Sequence, residues 1–296
     1  MNSLIIDGYE VNITNPEKLL WPELGIRKID YIARSLELAP YIIAHARNRL
    51  LTTIRYPHGY AGKSFFQKNT PARAPAWLKT YLWRDNHYIL LTNTATLAWL
   101  CNQAALELHT AFNDYTNESK PANLVFDLDP AEGLRFADTA EVAVNIYKEL
   151  RELNIISYVK MSGATGLQIY IPVGGRYDYD TARRINHFFA VFFAEKYPDK
   201  ISVERMVKKR GRRVYFDYLQ MWSGKTIISP YSARATPQAT VAVPVEWKEL
   251  EKGAKPDNFT LVNVSARLKE KGDLFAPLLD QRQAQNLDFI LKYSLV

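Results

Sequence analysis

One mid-chain stretch, Pro121-Ala122-Asn123-Leu124-Val125-Phe126-Asp127-Leu128-Asp129-Pro130, constrains this protein more than any other. Leu124 to Leu128 are strand formers, and a proline stop stands at Pro130, so the pattern predicts a strand. Side chains alternate faces along a strand. Asp127 and Asp129 therefore point the same way, with Cα atoms about 6.5–7 Å apart. Leu124, Phe126 and Leu128 fill the opposite face. Two such carboxylates repel each other unless a cation sits between them. A hard divalent ion such as Mg2+ takes one or two carboxylates plus substrate phosphates. The alternative is a solvated strand end with two surface acids, and an isolated Asp-x-Asp does not decide between them.

The chain has 296 residues, 47% of them hydrophobic. That suffices for one large domain or two closely packed lobes. No apolar run reaches the length of a membrane span, and Met1-Asn2-Ser3-Leu4 does not open a secretory signal. The single cysteine, Cys101, excludes an internal disulfide and any Cys-based zinc module. It falls in a predicted helix as core, and the expected setting is a reducing cytoplasm. The net charge of +7 suggests a polyanionic partner.

Taken in order, Leu4–Ile13 reads as two strands around Asp7-Gly8. Thr14 or Asn15 can cap a short helix with Pro16 in its first position. Lys28 opens an amphipathic helix with Ile29, Ile32, Ala33 and Leu36 inward. Lys18 and Lys28 read by pattern alone as surface lysines. Leu50–Tyr56 is a strand. Gly62-Lys63-Ser64 is not a P-loop, because Pro57 stands where that motif needs glycine. Phe65 and Phe66, between Lys63 and Lys68, suit a platform on which a base stacks beside a backbone-binding charge. The other reading puts one of the two rings in the core.

Asn93 or Thr94 caps a helix through about Ala105, and Leu106-Glu107-Leu108-His109 follows as a strand. Beyond the acidic strand, a long helix starts near Asp138. Ser157–Met161 is a strand leading into Ser162-Gly163-Ala164-Thr165-Gly166-Leu167-Gln168. The amides of such a loop can form an anion-binding concavity, with Ser162 and Thr165 adding hydroxyls. Thr181–Tyr197 is a helix with Ile185, Phe188, Phe189, Phe192 and Phe193 as its buried stripe. The basic run Lys208–Arg213 leads into a strand over Val214–Leu219. Should that strand lie beside the acidic one, Asp217 becomes a third carboxylate at one place. Three acids near basic groups suit metal-assisted phosphoryl chemistry. The tail ends in helix near Gln281–Lys292.

The order of these signatures resembles the polymerase domain of bacterial ligase D, in the archaeo-eukaryotic primase superfamily. The matching residues are Asn15-Pro16-Glu17-Lys18, Arg55-Tyr56-Pro57, Gly62–Lys68, Glu107-Leu108-His109, Phe126–Pro130, Ser162-Gly163, Asp217-Tyr218-Leu219 and Pro230–Arg234. The resemblance implies an α+β fold, with an archaeo-eukaryotic-primase-like catalytic sheet and helices packed against an N-terminal α/β lobe. We expect a single domain over 1–296, with that lobe at about 1–105, a catalytic lobe at about 106–250 and a C-terminal extension at about 251–296.

By the same resemblance Asp127, Asp129 and Asp217 bind two metal ions, Mn2+ or Mg2+, and form the catalytic set with His109. His109, Ser162, Arg210 and Arg234 contact the incoming nucleotide. Gly163, Thr165, Gln168, Gln220, Asn15 and Arg55 lie on the nucleotide side. Lys18 and Lys28 grip the 5′-phosphate of a DNA break, and Phe65 or Phe66, with Lys68, meets the template. The implied function is template-directed nucleotidyl transfer, preferring ribonucleotides, at gaps and ends in non-homologous end joining. The implied partners are DNA ends or gaps with a 5′-phosphate, NTP or dNTP, the Ku end-binding protein and an ATP-dependent DNA ligase in cis or in trans. The implied location is the cytoplasm, at the nucleoid. No ligase or nuclease segment is seen, so those activities are expected elsewhere or in a part cut away from this sequence.

Three positions depart from the family pattern. Gln168 replaces the usual histidine, Ala164-Thr165 lacks the usual lysine, and Gln220 stands where many members have arginine. Two alternatives therefore stand beside polymerase activity: a haloacid-dehalogenase-type phosphatase, and a non-catalytic DNA-end binder with a decayed nucleotide site.

Overall fold

The computed structural model describes residues 2–293; Met1 and the last three residues of the expected C-terminal extension lie outside them. The fold is α+β, as expected, and divides into two compact units woven from separated segments. The first comprises Met1–Ala111, Thr226–Val243 and Asp257–Asp273, and the second comprises Phe112–Lys225, Pro244–Pro256 and Leu274–Val296.

In the first unit, Asn2–Ile6 and Tyr9–Ile13 form the expected hairpin. Asp7 and Gly8 turn it with φ of 49° and 79°, the left-handed pair that matches strand twist. The main sheet runs Thr226–Ile228, Ala105–Ala111, Leu50–Arg55, Asn86–Leu90 and Thr80–Trp83, all antiparallel, with Phe65–Gln67 added to Leu50–Arg55. The Thr94–Asn102 helix starts at Asn93, whose side chain accepts from the Thr96 amide at 2.8 Å.

Two expectations for this unit are corrected. No helix starts at Pro16. Asn15 is left-handed, at φ 49°, and closes a turn by accepting from the Lys18 amide at 3.1 Å; a helix cap needs extended backbone there instead. The chain goes on to a short strand, Leu19–Trp21, paired with Ile26–Arg27. The Lys28–Glu37 helix is present but rotated from the expected stripe. It buries Lys28, Tyr31, Ile32 and Ser35 and leaves Ala33 exposed. Tyr31 sets the rotation: its hydroxyl donates to the buried Ala105 carbonyl at 2.7 Å.

In the second unit the sheet order is Ile201–Ser202, Val214–Phe216, Asn123–Pro130, Leu167–Pro172, Tyr158–Met161 and Pro244–Val245. The acidic strand is central, flanked antiparallel by Leu167–Pro172 and Val214–Phe216. Leu124, Phe126 and Leu128 are fully buried. The helices Phe136–Glu152 and Tyr179–Lys196 pack against this strand. Phe126 meets Phe189 at 5.2 Å and Phe216 at 4.9 Å between ring centroids. Buried Asn186 donates to the Val125 carbonyl at 2.9 Å.

The Tyr179–Lys196 helix buries Ile185, Phe189 and Phe193, but Phe188 and Phe192 are half-buried around a small surface cavity. The expected tail helix is two short pieces, Gln281–Gln283 and Asp288–Leu291. Tyr177 explains the break. Its hydroxyl accepts from the Leu287 amide at 2.6 Å and donates to Asp288 at 2.9 Å, pinning the chain between the pieces.

The Phe126 contacts generate a stability test. Phe126→Ala should cost about 3–5 kcal/mol in urea unfolding; a loss under about 1 kcal/mol would contradict the packing described.

Candidate active site

The acidic strand and its neighbour place three carboxylates together. Leu128 pairs with Phe216 and Asp129 with Tyr215. The second strand ends at Phe216, earlier than its sequence pattern suggested, and the Asp217 amide then donates to the Asp127 carbonyl at 2.8 Å. Asp217 opens a tight turn. Its Oδ1 accepts from the Leu219 amide at 3.0 Å and from the Tyr215 hydroxyl at 3.3 Å, and its carbonyl accepts from the Gln220 amide at 3.3 Å. The Arg210 guanidinium lies over the Tyr215 ring at 3.6 Å, held by the Glu204 and Arg205 carbonyls. Arg210 and Gln220 thus join the carboxylates in one unit.

The Ser162 loop reaches the same place because it turns the hairpin beside the acidic strand. Ser162 Oγ accepts from the Ala164 and Gly166 amides at 3.3 and 3.1 Å. Two amides expected to face an anion therefore serve this hydroxyl. Gly163 is left-handed at φ 75° and buried, and Thr165 is exposed. A Cβ on Gly166 would lie 2.9 Å from the Leu128 carbonyl oxygen and 3.0 Å from Asp129 Oδ1. Only glycine lets the loop approach this closely.

Gln168 stands opposite Asp127 in the strand register. Its Nε2 donates to Asp127 Oδ1 at 3.1 Å, while its Oε1 is buried with no hydrogen-bond partner. Lys160 stands opposite Gln168 on the next strand and is fully buried. Asp127, Gln168 and Lys160 thus form a row across three strands. Burial, then the charge of Asp129 and, more weakly, of Asp217, pushes the Asp127 carboxyl up to about 8; the Gln168 amide and the Lys160 charge oppose that rise.

These features suit a divalent cation. The donors are hard carboxylate oxygens, their mutual repulsion is what a cation would relieve, and the orphaned Gln168 oxygen beside them is a further acceptor. Among the described residues, no group of three or more His, Cys, Asp or Glu side chains is arranged to hold a metal by itself. Mg2+ does not need one, since water and substrate phosphates complete its shell around one or two carboxylates.

The remaining expected residues lie in the first unit, in three groups. In the first group His109 donates from Nε2 to Glu107 Oε2 at 3.1 Å, and Arg234 pairs with the same oxygen at 3.4 Å. Glu107 is 4% exposed and also accepts from the Tyr56 hydroxyl at 3.4 Å and the Ala235 amide at 3.2 Å. Burial alone would raise its carboxyl, but the His109 hydrogen bond and the Arg234 charge outweigh it and hold Glu107 below its ordinary value. Arg234 Nε is buried with no hydrogen-bond partner.

In the second group, the Asn15 turn folds over the start of the Lys28 helix. Lys28 is 5% exposed, not the surface lysine of the pattern reading, and its Nζ donates to the Thr14 carbonyl at 2.6 Å. Burial, then the charges of Lys18 and Arg55, lower its ammonium below the ordinary value. Arg55 is fixed by the Gln103 carbonyl and by the Gln103 and Gln67 side chains. In the third group, Phe65 and Phe66 are 45% and 71% exposed, so neither is core. Arg55 lies 5.2 Å from the Phe65 ring centroid, and Lys68 is exposed nearby in sequence.

Sequence reasoning assigned no role to Lys160, Gly166, Tyr215 or Glu107. Glu107 and His109 carry the one usable signal: two residues apart on a strand, they share a face. Lys160 needed the register to bring it beside Gln168.

Comparison with known proteins places the chain in a family. The family model described as "LigD, primase-polymerase domain" matches residues 27–275. A bifunctional non-homologous end joining protein LigD of Bacillus subtilis is 35% identical over 283 residues, covering 95% of this chain and 46% of that protein. A multifunctional non-homologous end joining protein LigD of Mycolicibacterium smegmatis is 31% identical, covering 92% of this chain and 37% of its own length. The solved polymerase domain from Mycobacterium tuberculosis ligase D, in complex with DNA, superposes with a TM-score of 0.82 at 29% identity, covering 93% of this chain and 99% of that one. The chain belongs to the LigD primase-polymerase domain family. It spans less than half the length of these two LigD relatives.

The close approach at Gly166 is directly testable. Gly166→Ala should cost about 1–3 kcal/mol of stability by forcing the loop off the acidic strand. Unchanged denaturant unfolding would show that the loop is not packed there.

Proposed function

We propose that this chain is a nucleotidyltransferase that extends a primer 3′-hydroxyl on a DNA template, filling gaps and extending ends during non-homologous end joining, with ribonucleotides preferred. The observation that carries the reading is the placing of Asp217, just past the end of the Val214–Phe216 strand, against the neighbouring strand that carries Asp127 and Asp129, in a chain of this family. Family membership sets aside the phosphatase alternative.

In this reading Asp127, Asp129 and Asp217 would hold two divalent ions, Mn2+ or Mg2+, which would supply Lewis-acid activation of the 3′-hydroxyl and offset charge on the leaving pyrophosphate. Gln168 fixes the Asp127 carboxylate through its amide, and Tyr215 fixes Asp217. The Ser162 hydroxyl, with both loop amides directed at its oxygen, keeps its own proton to donate to a phosphate oxygen. Gly163 and Thr165 shape the rest of that loop, and Arg210 and Gln220 border Asp217. His109 and Arg234 bind the triphosphate; the orphaned Arg234 Nε suits an anionic acceptor.

Lys18 and Lys28 take the 5′-phosphate, with the Arg55 charge beside them and Asn15 setting the turn. The exposed Phe65–Phe66 pair stacks on the template, and Lys68 meets its backbone. Ku and an ATP-dependent DNA ligase, in cis or in trans, are the expected partners at the nucleoid.

The test is extension of a gapped duplex carrying a 5′-phosphate, with NTP or dNTP and with Mn2+ or Mg2+. Metal-dependent extension, stronger with NTP, is expected; end binding without extension under any metal would establish the non-catalytic alternative. Asp127→Ala or Asp217→Ala should cut extension about a hundredfold or more and leave end binding intact. Full extension by Asp127→Ala would remove the metal assignment.

The lysines make a separate prediction. Lys18→Ala combined with Lys28→Met, which keeps the buried stem, should erase the preference for phosphorylated over unphosphorylated gap ends and flatten the salt dependence of binding. A surviving preference would return both residues to a structural role.

A further inference from the structure

Glu107 is a buried carboxylate with an unusual set of partners. Its oxygens receive the His109 Nε2–H, the Arg234 guanidinium, the Tyr56 hydroxyl and the Ala235 amide. Two of these belong to residues assigned to the triphosphate. His109 and Glu107 lie two apart on the Ala105–Ala111 strand, and Arg234 follows the neighbouring Thr226–Ile228 strand. One carboxylate therefore ties two different chain segments to one point.

We propose that Glu107 is a positioning residue that orients His109 and Arg234 and holds the His109 ring as an imidazolium, so that the three groups together present one net positive charge to the nucleotide triphosphate.

The charge count gives the physical reason. Arg234 alone would neutralise Glu107, leaving nothing for an anion. A neutral His109 ring would add only a weak dipole. A protonated ring brings the count to two positive charges against one negative, and the carboxylate beside it favours that state. Glu107 on its own strand is charged and lies against the His109 ring, Arg234 from the segment after the neighbouring strand joins it through Glu107, and Tyr56 adds a titratable hydroxyl at the same carboxylate. Its register partners, Thr52 and Ile228, carry no charge. The Glu107 carboxylate, 3.1 Å from the ring, favours the second proton on His109, and the Arg234 charge, which pairs with the same carboxylate oxygen, opposes it. Charged donors bind phosphate oxygens about twice as strongly as neutral ones. Nucleotide binding is then linked to the protonation of His109.

The inference rests on the reading of His109 and Arg234 as triphosphate contacts. Its test combines imidazole NMR of the labelled, intact protein with steady-state extension kinetics. In the unmodified protein the His109 ring should be doubly protonated at pH 7.5; a neutral ring there overturns the proposal without any variant. In Glu107→Gln the His109 titration midpoint should fall by about 1–3 pH units. The nucleotide KM should rise about tenfold while kcat changes less, and binding to a 5′-phosphorylated duplex should stay as it was. A midpoint or KM unchanged in Glu107→Gln overturns the role of Glu107. His109→Ala separates the two layers: if it leaves KM unchanged, the triphosphate assignment itself fails, whereas a raised KM beside an inert Glu107→Gln defeats only this inference.

Discussion

The hydrogen bond from the Asp217 amide to the Asp127 carbonyl, 2.8 Å long, fixes the geometry on which the rest of the second unit depends. It extends the ladder of the Val214–Phe216 strand by one step at the point where that strand ends. Beyond it the backbone turns, and the Asp217 side chain closes the turn by accepting from the Leu219 amide. Strand pairing thus delivers a carboxylate from a distant segment to the end of a strand that already carries two. The aromatic core beneath, Phe126 against Phe189 and Phe216, holds the paired strands in register.

Bringing three acids together is costly, and the surrounding residues show how the cost is met. Each of two carboxylates has a donor on one oxygen: Gln168 on Asp127, and Tyr215 with the Leu219 amide on Asp217. Lys160 lies buried one strand further along the same row. These groups orient the carboxylates but only partly offset burial and repulsion, which still hold the Asp127 carboxyl well above the ordinary carboxylate range. A site that keeps repelling acids in place is arranged for cations. The first unit shows the opposite sign: burial, with the charges of Lys18 and Arg55, lowers the Lys28 ammonium below its ordinary value, and Arg234 keeps a buried donor without a partner. Such groups are arranged for anions.

Much of this was legible in the sequence where a local rule decides the outcome. The Asp-x-Asp alternation, the Asp7-Gly8 hairpin and the Asn93 cap are set by two to four neighbouring residues, and each stands in the structure. What stayed hidden was decided by distant partners. Asn15 looks like a cap, but the Lys28 helix start packs back onto its turn and draws it left-handed. Ala33 fits a helical stripe, yet Tyr31 takes the core position because its hydroxyl reaches Ala105. Phe188 and Phe192 have the same spacing as buried Phe189 and Phe193, and only the sheet below determines which pair it covers. The contact of the Gln168 amide with Asp127 is set by strand register, which no local pattern displays. Lys28 reads as a surface lysine until the Thr14 carbonyl is seen to hold its ammonium.

The central claim is that Asp127, Asp129 and Asp217 are the metal-holding group of a nucleotidyltransferase. Anomalous scattering from Mn2+ in crystals grown with a nucleoside triphosphate tests it most directly. The account predicts Mn2+ in contact with Asp127 and Asp129 and bridging to the triphosphate oxygens. A nucleotide bound with no Mn2+ at these carboxylates, or with Mn2+ bound only elsewhere, would contradict it.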